Sequence, residues 1–317
     1  MSHQGRRRTE WAGWMFAGPW LVGFLFLQLY PFCASLYWSF CRYDLLSPPR
    51  LVGTEHYQRL GAELVSGEGF GRAMWNTAYY GFVSVPLSIA LGIGLAIVLS
   101  WKVRGQSIFR AICFLPSVVP VVASSVLWIW LLDPKRGLVN YGLSWLGLAG
   151  PQWLNDYREA AWIPGWFNDT SAFGSKDALV LMALWAIGNF MVIYLAALAD
   201  VPTQLYEAAE LDGASRVRRF WHVTLPMLTP VILFNLIMGI IQSVQAFTQI
   251  YIVSEGTGAP ERSTLVLSLH LFLSAFQDLD MGYASAMAWL LFVVLLIATA
   301  LLFRTSRNWV HYQGGVR

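Results

Sequence analysis

The chain has 317 residues, of which 56% are hydrophobic, 15% are aromatic and only 12% are charged. Soluble domains average about 25% charged residues, so this composition excludes disorder and disfavours a soluble protein. The net charge of +3 is too small to indicate a nucleic-acid-binding protein. The three cysteines, Cys33, Cys41 and Cys113, form no metal-binding pattern and no evident disulfide framework, and we interpret them as apolar filler.

Six stretches of the sequence are long and apolar enough to cross a membrane, which takes about 20 residues. They lie at about residues 14–40, 77–100, 111–132, 178–199, 226–253 and 284–303, and none contains Asp, Glu, Lys or Arg. This pattern predicts an all-α integral membrane protein with six transmembrane helices, forming a single domain over residues 1–317. A seventh apolar run, residues 265–276, is too short to cross and is predicted to be a re-entrant or interfacial helix.

An even number of spans puts both termini on one side of the membrane. If that side is the cytoplasm, the termini and the short inner connections carry 12 of the 21 Lys and Arg residues. The outer loops are longer, yet they carry only the other nine. Because basic residues concentrate in cytoplasmic loops, the sequence predicts that both termini are cytoplasmic.

Prolines interrupt several of the predicted spans. They are Pro86, Pro116, Pro120, Pro226 and Pro230. Each removes a helical hydrogen bond and bends the helix. Ordinary kinks and hinges in a bundle that opens and closes both remain possible interpretations.

The sequence lacks the motifs of several enzyme classes. None of its three lysines follows a glycine, so there is no P-loop for ATP, and no HExxH, GxSxG or CxxC motif occurs. We therefore expect no catalytic site, no metal site and no ATP site in this chain. The predicted spans also hold no charged side chain and no histidine, which disfavours a proton-coupled carrier and a charged substrate. If the protein transports uphill, its energy is expected to come from another polypeptide.

The predicted cytoplasmic connection between spans 4 and 5, residues 200–225, is the most informative segment, and we name it the coupling loop. Thr203 is predicted to cap a short helix, Asp212-Gly213 to turn the chain, and Ala214 to begin a second short helix. Such a helix-turn-helix knob can fit the groove of a partner protein. A helical hairpin that only links two spans is the alternative.

Several residues of this loop carry a family resemblance. Glu207-Ala208-Ala209, followed by Asp212-Gly213-Ala214, Phe220 and Leu225-Pro226, resembles the EAA loop of ABC-importer permeases. Further motifs resemble the carbohydrate-type permeases, namely Phe114-Leu115-Pro116, Leu131-Leu132-Asp133-Pro134, Trp153-Leu154-Asn155-Asp156 and Met281-Gly282-Tyr283. The resemblance covers about residues 12–305 and is strongest to the maltose transporter's first permease and the glycerol-phosphate permease.

The resemblance implies the type I permease fold of ABC importers, in a bacterial inner membrane. The chain would form half of a transmembrane pore, with a second homologous permease, two ATP-binding subunits and an extracytoplasmic solute-binding protein as partners. ATP and Mg would be used by the partner ATPase, and no cofactor would be bound by this chain. Glu207 would contact basic groups of the ATPase, and Gly213 would make the turn of the loop.

One outer segment departs from the family pattern. Residues 163–177 resemble an insertion that contains Trp166. It is expected either to touch the binding protein or to be a tolerated surface insertion.

The predicted fifth span carries a series of amide side chains. Asn235, Gln242 and Gln249 are spaced by seven residues and would share one face of a helix, flanked by Ser243 and Gln245. These groups either bond to another helix or form a wall for the hydroxyls of a neutral sugar or polyol.

The family resemblance nominates Asn189 on span 4, with Gln242, Ser243 and Gln245, as the solute pathway. Trp128 and Trp185 could stack on a sugar ring, although we expect them to face lipid. The resulting prediction is a permease subunit for a sugar or neutral polyol. Its alternatives are a permease for glycerol phosphate or another anionic solute, a membrane enzyme or channel, and a non-transporting anchor.

Overall fold

The computed structural model describes residues 14–101, 104–157 and 174–311. Contacts between residues divide the chain into two compact units. The first comprises the chain up to Ala62 together with Leu271–Val293, and the second comprises Glu63–His270 with the chain from Val294 onward.

The first unit begins with the apolar helix α1, Trp14–Trp38, which contains a π-helical stretch at Phe24–Leu29. A short antiparallel pair follows, β1 (Cys41–Arg42) and β2 (Arg50–Leu51), in which Cys41 pairs with Leu51. Helix α2, Glu55–Ser66, follows the second strand. Its His56 side chain is buried and lies 3.0 Å from the carbonyl oxygen of Cys41, so α2 packs on the strand pair.

The second unit contains most of the other helices. In chain order they are α3 (Phe70–Ser100), α4 (Gln106–Phe114), α5 (Val121–Leu131), α6 (Leu138–Trp145), α7 (Ser175–Leu184), α8 (Gly188–Ala199), α9 (Thr203–Leu211), α10 (Arg216–Arg219), α11 (Leu225–Val244) and α12 (Thr248–Val253). Two further helices, α13 (Leu267–Phe276) and α14 (Met281–Ser306), cross the boundary between the units, as does the end of α2.

The all-α class is confirmed, and the predicted spans divide into two groups. Four helical stretches are individually long and apolar enough to cross a membrane: Trp14–Trp38, Phe70–Ser100, Arg216–Val253 and Met281–Ser306. The other two predicted spans are bent pairs, Gln106–Val118 with Val121–Leu131 at 97° and Ser175–Leu184 with Gly188–Ala199 at 43°. The described residues therefore contain four spans, or six if each bent pair crosses as one.

Proline explains the sharper of the two bends. Pro116 lies in a 3₁₀ turn that follows α4, and Pro120 has an extended backbone at the residue before α5. Since proline cannot donate a backbone hydrogen bond, the helical ladder ends between them. Pro86 and Pro230, by contrast, lie inside continuous helices.

The core of the second unit forms where α3, α8 and α11 meet. Its buried side chains are Val85, Ile89, Ile93, Ala96, Leu99, Met191, Tyr194 and Leu228. Small residues bring these helices close together: a Cβ atom on Gly92 would lie 2.8 Å from that of Phe190, and one on Gly239 would lie 2.7 Å from a methyl group of Val85. Close approach at glycine is typical of packing between membrane helices.

The short apolar run near residue 270 forms α13, a helix of ten residues, as its length predicted. The chain before it is fixed to α3. The Asn76 amide donates to the carbonyl oxygens of Arg262 and Leu265 at 2.9 and 2.8 Å, and the Leu267 amide donates to the Thr77 hydroxyl at 2.9 Å. The predicted insertion at 163–177 lies outside the described residues except for its last four positions.

Candidate coupling loop and solute cavity

The first arm of the coupling loop is α9, which ends in a turn that needs glycine. The Ala214 amide donates to the Ala209 carbonyl at 2.9 Å, and the Gly213 amide donates to the Glu210 carbonyl at 3.0 Å. This pair of bonds is the Schellman motif, whose turning residue has a positive φ. Gly213 occupies that position with φ of +72°.

The start of α9 differs from the prediction. Pro202, with φ of −59° and ψ of 128°, precedes the helix, and Thr203 is its first helical residue with no capping side chain. The fixed φ of proline and its extended ψ place the helix boundary immediately after it.

The second arm is continuous with the following span. The Ser215 hydroxyl accepts from the Arg218 amide at 3.4 Å and begins α10. A π-helical stretch, Phe220–Thr224, then leads into α11 without a break. The predicted separate helix is therefore the first part of the span, and Leu225-Pro226 follows directly on the π-helical stretch.

Three contacts connect the two arms and the loop to the span ends. Arg219 forms an ion pair with Glu210 at 3.0 Å, and the hydroxyl groups of Tyr206 and Thr224 are 3.0 Å apart. Phe220 packs against the core formed by α3, α8 and α11. The loop is therefore connected to the helices of that core.

The predicted docking residues of the loop differ in exposure. Glu207, Ala208, Asp212 and Gly213 are exposed, while Ala209 is partly buried. Ala214, Phe220, Leu225 and Pro226 are also partly buried. The Glu207 carboxylate is therefore available to a partner protein.

A cavity of about 570 Å³ opens among the helices of the second unit. Five of the six residues predicted for the solute pathway line it: Asn189, Asn235, Gln242, Ser243 and Gln249. The sixth, Gln245, is exposed and lies outside the lining. We name this space the amide-lined cavity.

The proposed amide stripe is not one helix face, and this part of the prediction is wrong. Helix α11 ends at Val244, and Gln249 belongs to α12 after a non-helical break. The cavity nevertheless receives Asn235, Gln242 and Gln249, because both helices border it. Gln245 directly follows the end of α11 and is not among the lining residues.

The polar side chains of the cavity lining differ in exposure and in hydrogen bonding. Asn235 is only 3% exposed, and its side-chain nitrogen has no hydrogen-bond partner within the described part of the chain. The Ser243 hydroxyl donates to the Ile240 carbonyl at 2.8 Å, which leaves its oxygen able to accept. Gln242 is exposed, so its amide can both donate and accept.

Sequence reasoning missed a set of hydroxyls in the cavity lining. Tyr80, Ser84 and Ser88 of α3 line the cavity, as do Ser117 and Ser124 near the bend between α4 and α5. The spacing of four residues from Tyr80 to Ser84 to Ser88 places them on one helix face and could have indicated their shared role. No charged side chain is found among the described residues of the lining.

The expected lipid-facing position of the two tryptophans is wrong for Trp128. It is 7% exposed, and its ring meets that of Trp185 edge to face with centroids 5.5 Å apart. Trp185 itself lines the amide-lined cavity. The break between α7 and α8 places Trp185 at this position.

Metal chemistry has no visible basis in the described ranges. No group of three His, Cys, Asp or Glu side chains there is arranged to hold a metal ion. The three cysteines are free thiols, with Cys41 buried and Cys33 exposed.

Apolar spans, a cavity with no charged side chain among its described lining residues, and an exposed helical loop are features expected of a membrane permease. Residues 88–310 match the family described as the inner membrane component of binding-protein-dependent transport systems. The chain belongs to this family. It is thus a multi-pass membrane permease subunit of an ABC importer, a type of subunit that has no ATPase site of its own.

Similar proteins cover almost the whole chain. The probable ABC transporter permease protein YesP of Bacillus subtilis is 36% identical over 97% of this chain and 94% of its own length. The lactose transport system permease protein LacF of Rhizobium radiobacter is 33% identical over 96% of each chain. The trehalose/maltose transport system permease protein MalF of Thermococcus litoralis is 31% identical over 93% of each.

A solved structure shares the fold. It is a chain of a bacterial alginate ABC transporter, crystallised in complex with an alginate pentasaccharide-bound periplasmic protein. The TM-score is 0.76 at 23% identity, over 96% of this chain and 97% of that chain.

Proposed function

We propose that this permease carries a neutral sugar or related polyol through the amide-lined cavity. The observation that carries the proposal is the chemistry of that cavity, in which amides and hydroxyls form the polar wall and charged groups are absent among the described lining residues. Amides and hydroxyls both donate and accept hydrogen bonds, as sugar hydroxyls do. Trp185 adds an aromatic face against which a sugar ring can pack.

The names of similar proteins support a sugar. LacF is named for lactose, and the Thermococcus litoralis protein for trehalose and maltose. An anionic solute such as glycerol phosphate is disfavoured, because the described lining offers no basic group and an unpaired anion would be costly to desolvate there.

Exchange of a single amide tests the role of the cavity. Gln242→Ala removes an exposed donor and acceptor from the lining, and we expect the KM for sugar uptake to rise about five- to tenfold, equivalent to one hydrogen bond. Gln245→Ala is the matched control, since it removes the same group from the same segment outside the lining. Uptake would be measured in vesicles with candidate disaccharides. Equal effects of the two changes, or none, would contradict the proposed pathway.

The proposed partners follow from the coupling loop and the family. A second homologous permease completes the pore, two ATP-binding subunits use ATP and Mg, and an extracytoplasmic solute-binding protein delivers the solute. The exposed Glu207 docks in a groove of the ATPase, where basic groups surround it. In this arrangement both termini are cytoplasmic, and the two units belong to one permease domain in the inner membrane.

Reversal of one charge tests the docking. Glu207→Lys is expected to lower ATP-driven uptake at least tenfold, while the protein remains inserted in the membrane. Gln204→Lys, one turn earlier on the exposed side of α9, is the control for added positive charge. Copurification of the ATPase from mild detergent would be measured beside uptake. Normal ATPase recovery and uptake with Glu207→Lys would refute the docking role.

A further inference from the structure

A second cavity of about 520 Å³ adjoins the coupling loop within the second unit. Its apolar lining includes Ile97, Leu198 and Phe220. Its polar lining includes Tyr206, Arg216 and Arg219. We name it the basic cavity.

The basic cavity lies where apolar helices give way to a charged loop. Helix α3 ends at Ser100, α8 ends at Ala199 and α11 begins at Leu225. Trp101, which lines the cavity, and the nearby Trp221 are 58% and 59% exposed. Exposed tryptophans beside basic residues are typical of the level of lipid headgroups.

The charges at the cavity favour an anion. Arg216 is exposed and forms no ion pair in the described part of the chain. Arg219 is 21% exposed and contacts the Glu210 carboxylate at 3.0 Å. A guanidinium has five N–H donors, so the contact with Glu210 leaves donors of Arg219 available.

We propose that the basic cavity binds one anionic phospholipid. The phosphate is held between Arg216 and Arg219, whose planar donors suit phosphate oxygens, and an acyl chain lies along Ile97 and Leu198. The bound lipid fastens the coupling loop to the ends of α3 and α8. This site does not depend on which solute the permease carries.

Native mass spectrometry of the full chain tests the site. The delipidated protein in mild detergent would receive phosphatidylglycerol or phosphatidylcholine, and bound lipid would be counted. We expect one phosphatidylglycerol to bind about tenfold more tightly than phosphatidylcholine. Arg216→Gln should weaken that binding about fivefold, the effect of one basic group near anionic lipid. Arg218→Gln is the matched control, because Arg218 is exposed on the same helix but does not line the cavity.

Two further measurements distinguish a bound lipid from a soluble phosphate ligand. Glu210→Gln keeps both arginines and removes the competing carboxylate, so it should strengthen lipid binding without disrupting the site. Inorganic phosphate at millimolar concentration should not displace the lipid. Equal losses with Arg216→Gln and Arg218→Gln, absence of a preference for phosphatidylglycerol, or displacement by inorganic phosphate would overturn the proposal. The last outcome would indicate a soluble phosphate ligand.

Discussion

Gly213 fixes the turn of the coupling loop through its backbone conformation. Its φ of +72° lies in the left-handed region, which costs an ordinary L-residue about 1–2 kcal/mol. A Cβ atom at this position would meet nothing within 4 Å. The requirement for glycine is therefore conformational and not a matter of space.

Two substitutions separate conformation from size. Gly213→Val is expected to destabilise the turn, lower ATPase recovery in copurification and reduce uptake severalfold. Gly213→Asn should retain most of both, since asparagine tolerates the left-handed region. The two variants would be compared in one uptake assay. If asparagine and valine impair the loop equally, the turn is not the reason for glycine here.

At the scale of elements, close helix packing depends on glycines that face a backbone. Gly188 begins α8, and a Cβ atom there would lie 2.5 Å from the Cys113 carbonyl oxygen and 2.8 Å from the Phe114 Cα. Backbone atoms cannot move aside as the end of a flexible side chain can. Helix α8 can therefore approach α4 only through a residue without a side chain.

Gly188→Ala is expected to destabilise the protein by about 1–3 kcal/mol through overpacking. Gly94→Ala is the control: it lies on an exposed side of α3 with nothing within 4 Å of its Cβ position, so it should be neutral or slightly stabilising. Thermal unfolding in detergent would measure both. A lower midpoint for Gly94→Ala than for Gly188→Ala would contradict the packing argument.

At the scale of the whole molecule, the spans differ in the share of their apolar window that is buried within the chain. The apolar window of Phe70–Ser100 is 44% buried, whereas that of Met281–Ser306 is 11% buried and that of Trp14–Trp38 is not buried at all. The poorly covered helices must face lipid or another subunit. This difference agrees with our proposal that a second permease completes the pore.

Expression of the chain without the proposed partner permease tests whether its folded state depends on that partner. We expect the chain to be degraded several times faster alone than with its partner, because binding to the folded state stabilises it. Pulse-chase labelling in the native host would measure the half-life. Co-expression with the ATPase alone is the control, and an unchanged half-life without the second permease would argue against an obligate pair.

Local pattern was enough to predict the membrane class, the approximate spans and the turn at Gly213, since these depend on composition and on one residue's backbone freedom. It also nominated five residues that line the amide-lined cavity. Three features became visible only in the folded chain: α11 ends before Gln245, Trp128 is buried against Trp185, and serines of α3 line the cavity. These outcomes depend on where proline and glycine let separate helices bend and approach, which no local pattern contains.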